Sequence, residues 1–194
     1  NVIAVNGSAM PDAWQGRLLG ADPLHRHLVL SERSVRGASF TTRDIGFPVK
    51  NSDVAFRPVY MANAPDGSLL IADFYERYIA HGQHYQSQID PTSGRVYRLR
   101  AKIKPLSADT NLSAKTDGQL IGLLAHPNKW HRQTAVRLLG QRATAVSNSK
   151  LRKQIKAETG RAALHGLWAL HQAGGLDDAL AAELLWHSYP HVRA

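Results

Sequence analysis

Apolar and polar positions follow two different periods along the chain. Up to about residue 100, short β-branched and aromatic runs are separated by Gly, Pro, Asn and Asp, which is typical of β-strands. Arg95–Leu99 alternates polar and apolar side chains at a period of two, as a half-buried strand does. The other predicted strands and hairpins are Val2–Val5, Arg17–Ala21, His27–Leu30, Ser34–Phe40, Val59–Met61 and Leu69–Ala72.

A heptapeptide recurs within this β part. Gly16–Asp22 matches Gly67–Asp73 at five of seven positions, with an offset of 51 residues. Repeats of about 40–50 residues that are built from strands and turns are typical of β-propeller blades. The pattern therefore predicts an all-β partial β-propeller over residues 1–100.

From about Asp117 the apolar positions recur at helical spacing. The motif Leu124-x-His126-x5-Arg132 returns 61 residues later as Leu185-x-His187-x5-Arg193. Two helix pairs fit within that offset, which indicates stacked helical hairpins. The sequence predicts an all-α, HEAT-like α-solenoid over residues 117–194, joined to the propeller by a polar linker at residues 101–116.

Polar residues that can cap a helix, and one proline, mark three of the predicted helix starts. Asn128 is expected to cap the second helix and Ser147 or Ser149 the third, because their side chains can accept a hydrogen bond from the first turn. Pro190 suits the first turn of a sixth helix.

Composition narrows the function classes. The chain has no cysteine among its 194 residues, which excludes disulfides, zinc-thiolate sites and cysteine nucleophiles from it. The net charge of +9 is dispersed, with its densest cluster at Lys150–Lys156, and we interpret that cluster as a solvated helix face rather than a nucleic-acid surface. No apolar run is long enough for a membrane segment. The chain lacks an initiator Met, and we expect it to be a piece of a longer protein.

The order of several motifs resembles one propeller family. The motifs are Phe56-Arg57-Pro58-Val59, Pro65–Leu69, Ala72–Tyr75 and Gly94–Arg98 in the β part, and Leu124–Arg132 and Leu164–Leu170 in the helical part. They are similar to the planctomycete-type membrane-bound dehydrogenase and haem-binding proteins. In that family a glucose/sorbosone-dehydrogenase-like propeller precedes HEAT-like repeats and a c-type cytochrome.

The resemblance implies a fragment of a quinoprotein-type sugar or alcohol dehydrogenase that passes electrons to a c-type haem domain. It implies a periplasmic or cell-envelope location, and the remainder of the propeller and the cytochrome domain as partners. The cofactors of the full-length parent would be pyrroloquinoline quinone (PQQ) and Ca²⁺, while this piece would hold no catalytic residue. The alternative is a non-catalytic scaffold that binds a protein or polysaccharide partner.

Arg57 is the first candidate for cofactor binding. It matches the second arginine of an Arg-x-Arg pair that holds the quinone carboxylates in soluble quinoprotein sugar dehydrogenases, and Ala55 stands where the first would fall. A guanidinium can hold a carboxylate bidentately. The alternative is that Arg57 pairs with a loop carboxylate such as Asp53.

Two aspartates and two histidines are further candidates for binding a cofactor or a metal. Asp73 and its repeat counterpart Asp22 end predicted strands, where a carboxylate can bind Ca²⁺ or can hydrogen-bond a turn, and the second role explains the recurrence more simply. His81 and His84 are candidates for lining the propeller mouth as acid/base groups or metal ligands.

Overall fold

The structure is a computed structural model that describes residues 1–36, 39–77, 90 and 92–194. It divides into two compact units, Asn1–Ser107 and Ala108–Ala194. The strands described in the first unit are β1 (Val2–Ala4), β2 (Leu18–Asp22), β3 (His27–Arg36), β4 (Ser39–Lys50), β5 (Pro58–Asn63), β6 (Leu69–Asp73) and β7 (Arg95–Leu99). The helices described in the second are α1 (Asp117–Gly122), α2 (Lys129–Arg142), α3 (Ala145–Ala157), α4 (Gly160–Gln172), α5 (Asp178–Leu184) and α6 (Pro190–Arg193).

The strands form two small antiparallel sheets. One has four strands in the order β1-β2-β3-β4, and the other has three in the order β5-β6-β7. In the first sheet the β2–β3 hairpin pairs Leu18 with Ser31 at one end and Asp22 with His27 at the other. The register therefore sets Asp22 beside His27, next to the loop that joins the two strands.

The predicted β-propeller is wrong, because neither small sheet closes and the repeated heptapeptide does not occupy equivalent environments. The two copies do form the strands β2 and β6. However, Leu19 is buried in β2 while its counterpart Leu70 is only partly buried, and Leu69 is buried in β6 while Leu18 is only partly buried. A one-residue change of phase turns equivalent side chains to opposite faces of a strand. The sequence match therefore does not make the sheets copies of one blade.

The predicted all-α solenoid of HEAT type is wrong as well, and the fold is a mixed α/β arrangement of two open sheets and the six described helices. The 61-residue repeat again fails at its apolar position. Leu124 is fully buried, whereas its counterpart Leu185 is 63% exposed. No helix among the described residues is both long enough and apolar enough to cross a membrane.

Each unit has its own apolar core. In the first, Met10, Leu19, Leu28, Met61 and Leu69 are fully or almost fully buried. In the second, the buried residues Leu120, Leu124, Leu139, Leu151 and Leu170 form the centre of the core. Leu112, which lies in the stretch predicted as linker, is buried in this helical core.

Helix starts in the second unit follow ordinary capping chemistry. The cap predicted at Asn128 is confirmed, since its side chain accepts a hydrogen bond from Trp130 N at 3.0 Å, and Pro190 occupies the first turn of α6 as predicted. The cap predicted for α3 at Ser147 or Ser149 is wrong. Thr144 caps that helix by accepting from Ser147 N at 3.1 Å.

Thr144→Ala is expected to lower the stability of the helical unit by about 1 kcal/mol, because the first turn of α3 loses its side-chain acceptor. Ser149→Ala should change it by less than about 0.5 kcal/mol, since Ser149 is exposed inside the helix. Urea denaturation followed by circular dichroism measures both. Equal losses in the two variants would contradict the assignment of the cap.

A histidine turn recurs in the helical unit. His126 Nδ1 accepts from Asn128 N at 3.0 Å, and Arg132 Nη1 donates to the carbonyl oxygens of His126 and Pro127 at 2.6 and 2.8 Å. Sixty-one residues later, His187 Nδ1 accepts from Tyr189 N at 3.0 Å. There Arg193 Nη1 donates to the carbonyls of His187 and Ser188 at 2.7 and 3.3 Å. The repeated motif therefore encodes a local turn in which the histidine must be neutral to accept.

The histidine turn makes the stability of the helical unit depend on pH. Burial lowers the pKa of His126 below 6.5, and burial also lowers the pKa of His165, so folding favours both neutral imidazoles. Their contribution to stability is complete above the unfolded pKa of 6.5 and is lost as the pH falls through the lower folded values.

His126→Asn is expected to flatten the fall in unfolding free energy between about pH 7 and pH 5, because an amide oxygen can replace Nδ1 without titrating. His171→Asn, at an exposed position of α4, is the matched control and should leave the slope unchanged. Denaturation at several pH values measures the slope, and a wild-type slope in His126→Asn would contradict this account.

Candidate metal site

Asp22 is the last residue of β2 and organises the loop that follows. Its Oδ1 atom accepts hydrogen bonds from Leu24 N at 3.1 Å and from His25 N at 3.0 Å, which is an Asx turn. Arg26 closes the loop with a positive φ of 61°. Because Oδ1 is held by the turn, the other oxygen, Oδ2, is directed to the neighbouring imidazoles.

Both imidazoles lie beside this oxygen. Asp22 Oδ2 is 2.8 Å from His25 Nδ1 and 3.4 Å from His27 Nε2. One ligand atom from each of the three residues lies within 4.8 Å of the others. The His25 and His27 rings are stacked with their centroids 5.7 Å apart. Because these three residues could together hold a metal ion, we call them the metal-ligand cluster.

The surroundings fix two members of the metal-ligand cluster more firmly than the third. The His27 ring packs on Phe47 of β4, with centroids 4.5 Å apart, and only 16% of the His27 side chain is exposed. The His25 side chain is 72% exposed. The cluster is thus open to solvent on the side of His25.

Asp22 stays ionised at neutral pH. Partial burial raises the pKa of its carboxyl, but hydrogen bonds from the backbone and ring of His25, and the charges of His25 and His27, lower it more, so that the pKa lies below 3.8. A carboxylate oxygen and two imidazole nitrogens are suitable donors for a divalent ion.

Arg57 donates a hydrogen bond to the loop that carries the metal-ligand cluster. Its Nη1 donates to the carbonyl oxygens of Pro23 at 3.2 Å and Phe56 at 3.4 Å, and its Nη2 donates to that of Arg77 at 3.0 Å. Asp53, the suggested partner, instead accepts from Ala55 N at 2.9 Å. Arg57 is buried, and its guanidinium donates to backbone carbonyl oxygens. A role for Arg57 in holding a quinone carboxylate stays a prediction.

Asp73 plays the turn role that its repeat counterpart plays. Its Oδ1 accepts from Arg57 N at 2.7 Å and Tyr75 N at 3.0 Å, and the residue is 4% exposed. Like Asp22, it therefore holds the backbone N–H two residues further on. A metal role for Asp73 stays a prediction, and the predicted site residues His81 and His84 lie outside the described residues.

The residues that the structure brings together were only partly identified from sequence. Asp22 was noted through the repeat, whereas His25 and His27 were missed. The available signal was the spacing Asp22-x-x-His25-x-His27 next to a strand end, since a tight loop can fold three such donors onto one point.

Comparison with known protein families assigns the first part of the chain to a family. The profile of the family described as domain of unknown function (DUF7133) matches residues 1–103, which include the whole metal-ligand cluster. Searches of curated proteins and of solved structures found no match. Because the matched residues make up more than half of its 194 residues, the chain belongs to the DUF7133 family.

Proposed function

We propose that the Asn1–Ser107 unit binds a divalent transition-metal ion through Asp22 Oδ2, His25 Nδ1 and His27 Nε2. The observation that carries this proposal is the approach of these three ligand atoms to within 4.8 Å of one another. Zinc bonds of about 2.0–2.2 Å to nitrogen and oxygen place neighbouring ligand atoms roughly 3–3.5 Å apart. The separations of 2.8 and 3.4 Å from Asp22 Oδ2 are close to that requirement.

The donor set favours a particular class of metal. Imidazole nitrogen suits zinc, copper, iron and nickel, whereas Ca²⁺ and Mg²⁺ take oxygen ligands. Three protein ligands leave a coordination position for water or for an exchangeable ligand, as in catalytic zinc sites. The exposure of the His25 side chain, 72%, supports access to that position from solvent. The proposed role is therefore metal-dependent binding of a small oxygen- or nitrogen-bearing ligand.

The quinoprotein-type dehydrogenase function stays a prediction that rests on the family resemblance. The same holds for the cytochrome partner, the protein or polysaccharide partner and the periplasmic or cell-envelope location. The backbone bonds of the Arg57 guanidinium give the quinone site less support than the metal-ligand cluster has.

Zinc titration of the full chain by calorimetry, with protein purified without a polyhistidine tag, tests the proposal. We expect one tight site at about pH 7.5, and weaker binding at acid pH, because a metal ion binds only the unprotonated form of an imidazole nitrogen. His27→Gln and Asp22→Asn should each weaken it by more than about 100-fold, since even outer-shell partners cost about 10- to 100-fold. Co²⁺ substitution should give visible absorption that His27→Gln abolishes.

The matched control is His171→Gln, which removes an exposed imidazole from the other unit and should leave the zinc affinity unchanged. Tight binding of one equivalent that survives in His27→Gln would overturn the proposal.

A further inference from the structure

A cationic cleft lies along α3 of the helical unit. It has a volume of about 530 Å³, within the range of small-molecule sites. Its lining includes Asn148, Ser149, Arg152, Lys153, Lys156 and Gly175. Three of these residues are cations and two carry neutral hydrogen-bonding groups, so the cleft suits an anion that also bears hydroxyl groups.

Close contacts line the floor of the cationic cleft. A Cβ atom added at Gly175 would lie 2.5 Å from Leu170 Cδ1 and 2.8 Å from Asn148 Nδ2, so a larger residue there would have to displace the ends of both side chains. Arg152 donates to the Gly175 carbonyl and to Asp177 Oδ2, which fixes its guanidinium at the rim. Lys153 is exposed on the same helix and carries its charge on a long flexible stem.

A second cleft adjoins the first. It has a volume of about 300 Å³ and is lined by Lys156, Glu183, Leu184, Trp186, His187 and Ser188. Lys156 lines both clefts. Trp186 is 90% exposed, although a large aromatic ring is normally covered. The indole ring of Trp186 is therefore accessible for stacking next to the cationic residues.

The wall of this tryptophan cleft distinguishes among ligands. His187 is held in place by its Nε2 contact with the Ile155 carbonyl at 2.9 Å. Glu183 pairs with Lys156 across the cleft, and its carboxylate can accept hydrogen bonds from hydroxyl groups but repels any anionic group placed beside it. A sugar ring stacked on the indole can present hydroxyls to Glu183 and turn its own anionic group to Lys156, whereas a DNA backbone has no internal hydroxyl groups to offer.

We propose that the two adjoining clefts form one site for an acidic oligosaccharide, with its carboxylate or sulfate groups on Arg152 and Lys153 and one sugar ring on Trp186. Lys156 stands at the junction, where the charged and stacked parts of the ligand meet. This site lies in the helical unit and is independent of the metal-ligand cluster.

Fluorescence titration of the full chain with tetragalacturonate tests this proposal. We expect saturable quenching that falls away with added salt, and about tenfold weaker binding in Trp186→Ala, measured by calorimetry because that variant loses its reporter. Lys153→Gln should weaken binding about three- to fivefold. Lys150→Gln, on the same helix but outside both clefts, is the control for charge and should bind as wild type does.

Maltotetraose and a tetramer of deoxythymidylate complete the design. The neutral sugar should bind at least about tenfold more weakly than tetragalacturonate, because it lacks the anionic groups. Equal or tighter binding of the nucleotide tetramer would overturn the choice of a saccharide. Unchanged affinity in both Trp186→Ala and Lys153→Gln would overturn the site itself.

Discussion

Gly7→Ala is expected to destabilise the Asn1–Ser107 unit by about 3 kcal/mol, at the upper end of the cost of overpacking. A Cβ atom at position 7 would overlap the carbonyl oxygen of Gly67 and lie 2.9 Å from its carbonyl carbon. These are backbone atoms of the turn before β6, and the same carbonyl oxygen accepts from Ala9 N at 3.0 Å. Neither segment can move aside without losing that hydrogen bond.

Hydrogen–deuterium exchange measures the Gly7→Ala effect within the intact chain. Peptides from β5 and β6 should lose protection, while those from α2, in the other unit, should keep theirs. Gly46→Ala is the matched control, because no atom lies within 4 Å of the added Cβ, and it should change stability by less than about 1 kcal/mol. Wild-type protection of β6 in Gly7→Ala would show that the two turns are not packed in this way.

Arg132→Ala is expected to destabilise the helical unit by about 3 kcal/mol. Arg132 is 5% exposed and donates to the carbonyls of His126 and Pro127. Burying the charged guanidinium of Arg132 also lowers the stability of the fold, since desolvation lowers the pKa of Arg132 to about 10. Charge-assisted hydrogen bonds of about 1.5–3 kcal/mol each, together with the cavity left by a large side chain, outweigh that cost.

Arg193→Ala is the matched control for Arg132→Ala. Arg193 makes the same two bonds in the second histidine turn, but it is exposed. Water can replace its donors, so the loss should stay below about 1 kcal/mol. Thermal denaturation measures the loss of stability in both variants. If the two losses differ by less than about 1 kcal/mol, burial does not determine how much this contact contributes to stability.

Local structure could be predicted from sequence where a short stretch or a single residue determines it. The alternation in Arg95–Leu99 predicts β7 with the bounds that the structure has, and Asn128 predicts the start of α2. The cap of α3 was misassigned because Thr144, Ser147 and Ser149 are all chemically able to cap, and only the backbone conformation selects among them.

The architecture was mispredicted because identity along the chain does not fix which face of a strand is buried. Leu19 and Leu70 hold equivalent positions in the heptapeptide, yet only Leu19 is fully buried. Sequence similarity between β2 and β6 arises from shared strand and turn chemistry, which many β-proteins use. Propeller closure depends on long-range pairing that the heptapeptide does not encode.

The candidate site was within reach of sequence analysis only in part. Its three ligands lie within six residues, so the spacing was readable. Two features could not be predicted from the sequence. One is the Asx turn that directs Asp22 Oδ2 to the imidazole rings. The other is the hydrogen bond from Arg57 to the carbonyl oxygen of Pro23, which lies 34 residues earlier in the chain. Both depend on the packed conformation.

The short contact between Asp22 and His25 has a thermodynamic consequence. With the carboxylate ionised, His25 Nδ1 carries the hydrogen that bridges the 2.8 Å gap to Asp22 Oδ2. A metal ion that binds His25 Nδ1 must displace this hydrogen, which moves to the other ring nitrogen when that nitrogen is unprotonated and is otherwise released to the buffer. The heat of metal binding should then vary with the ionisation enthalpy of the buffer in proportion to the protons released.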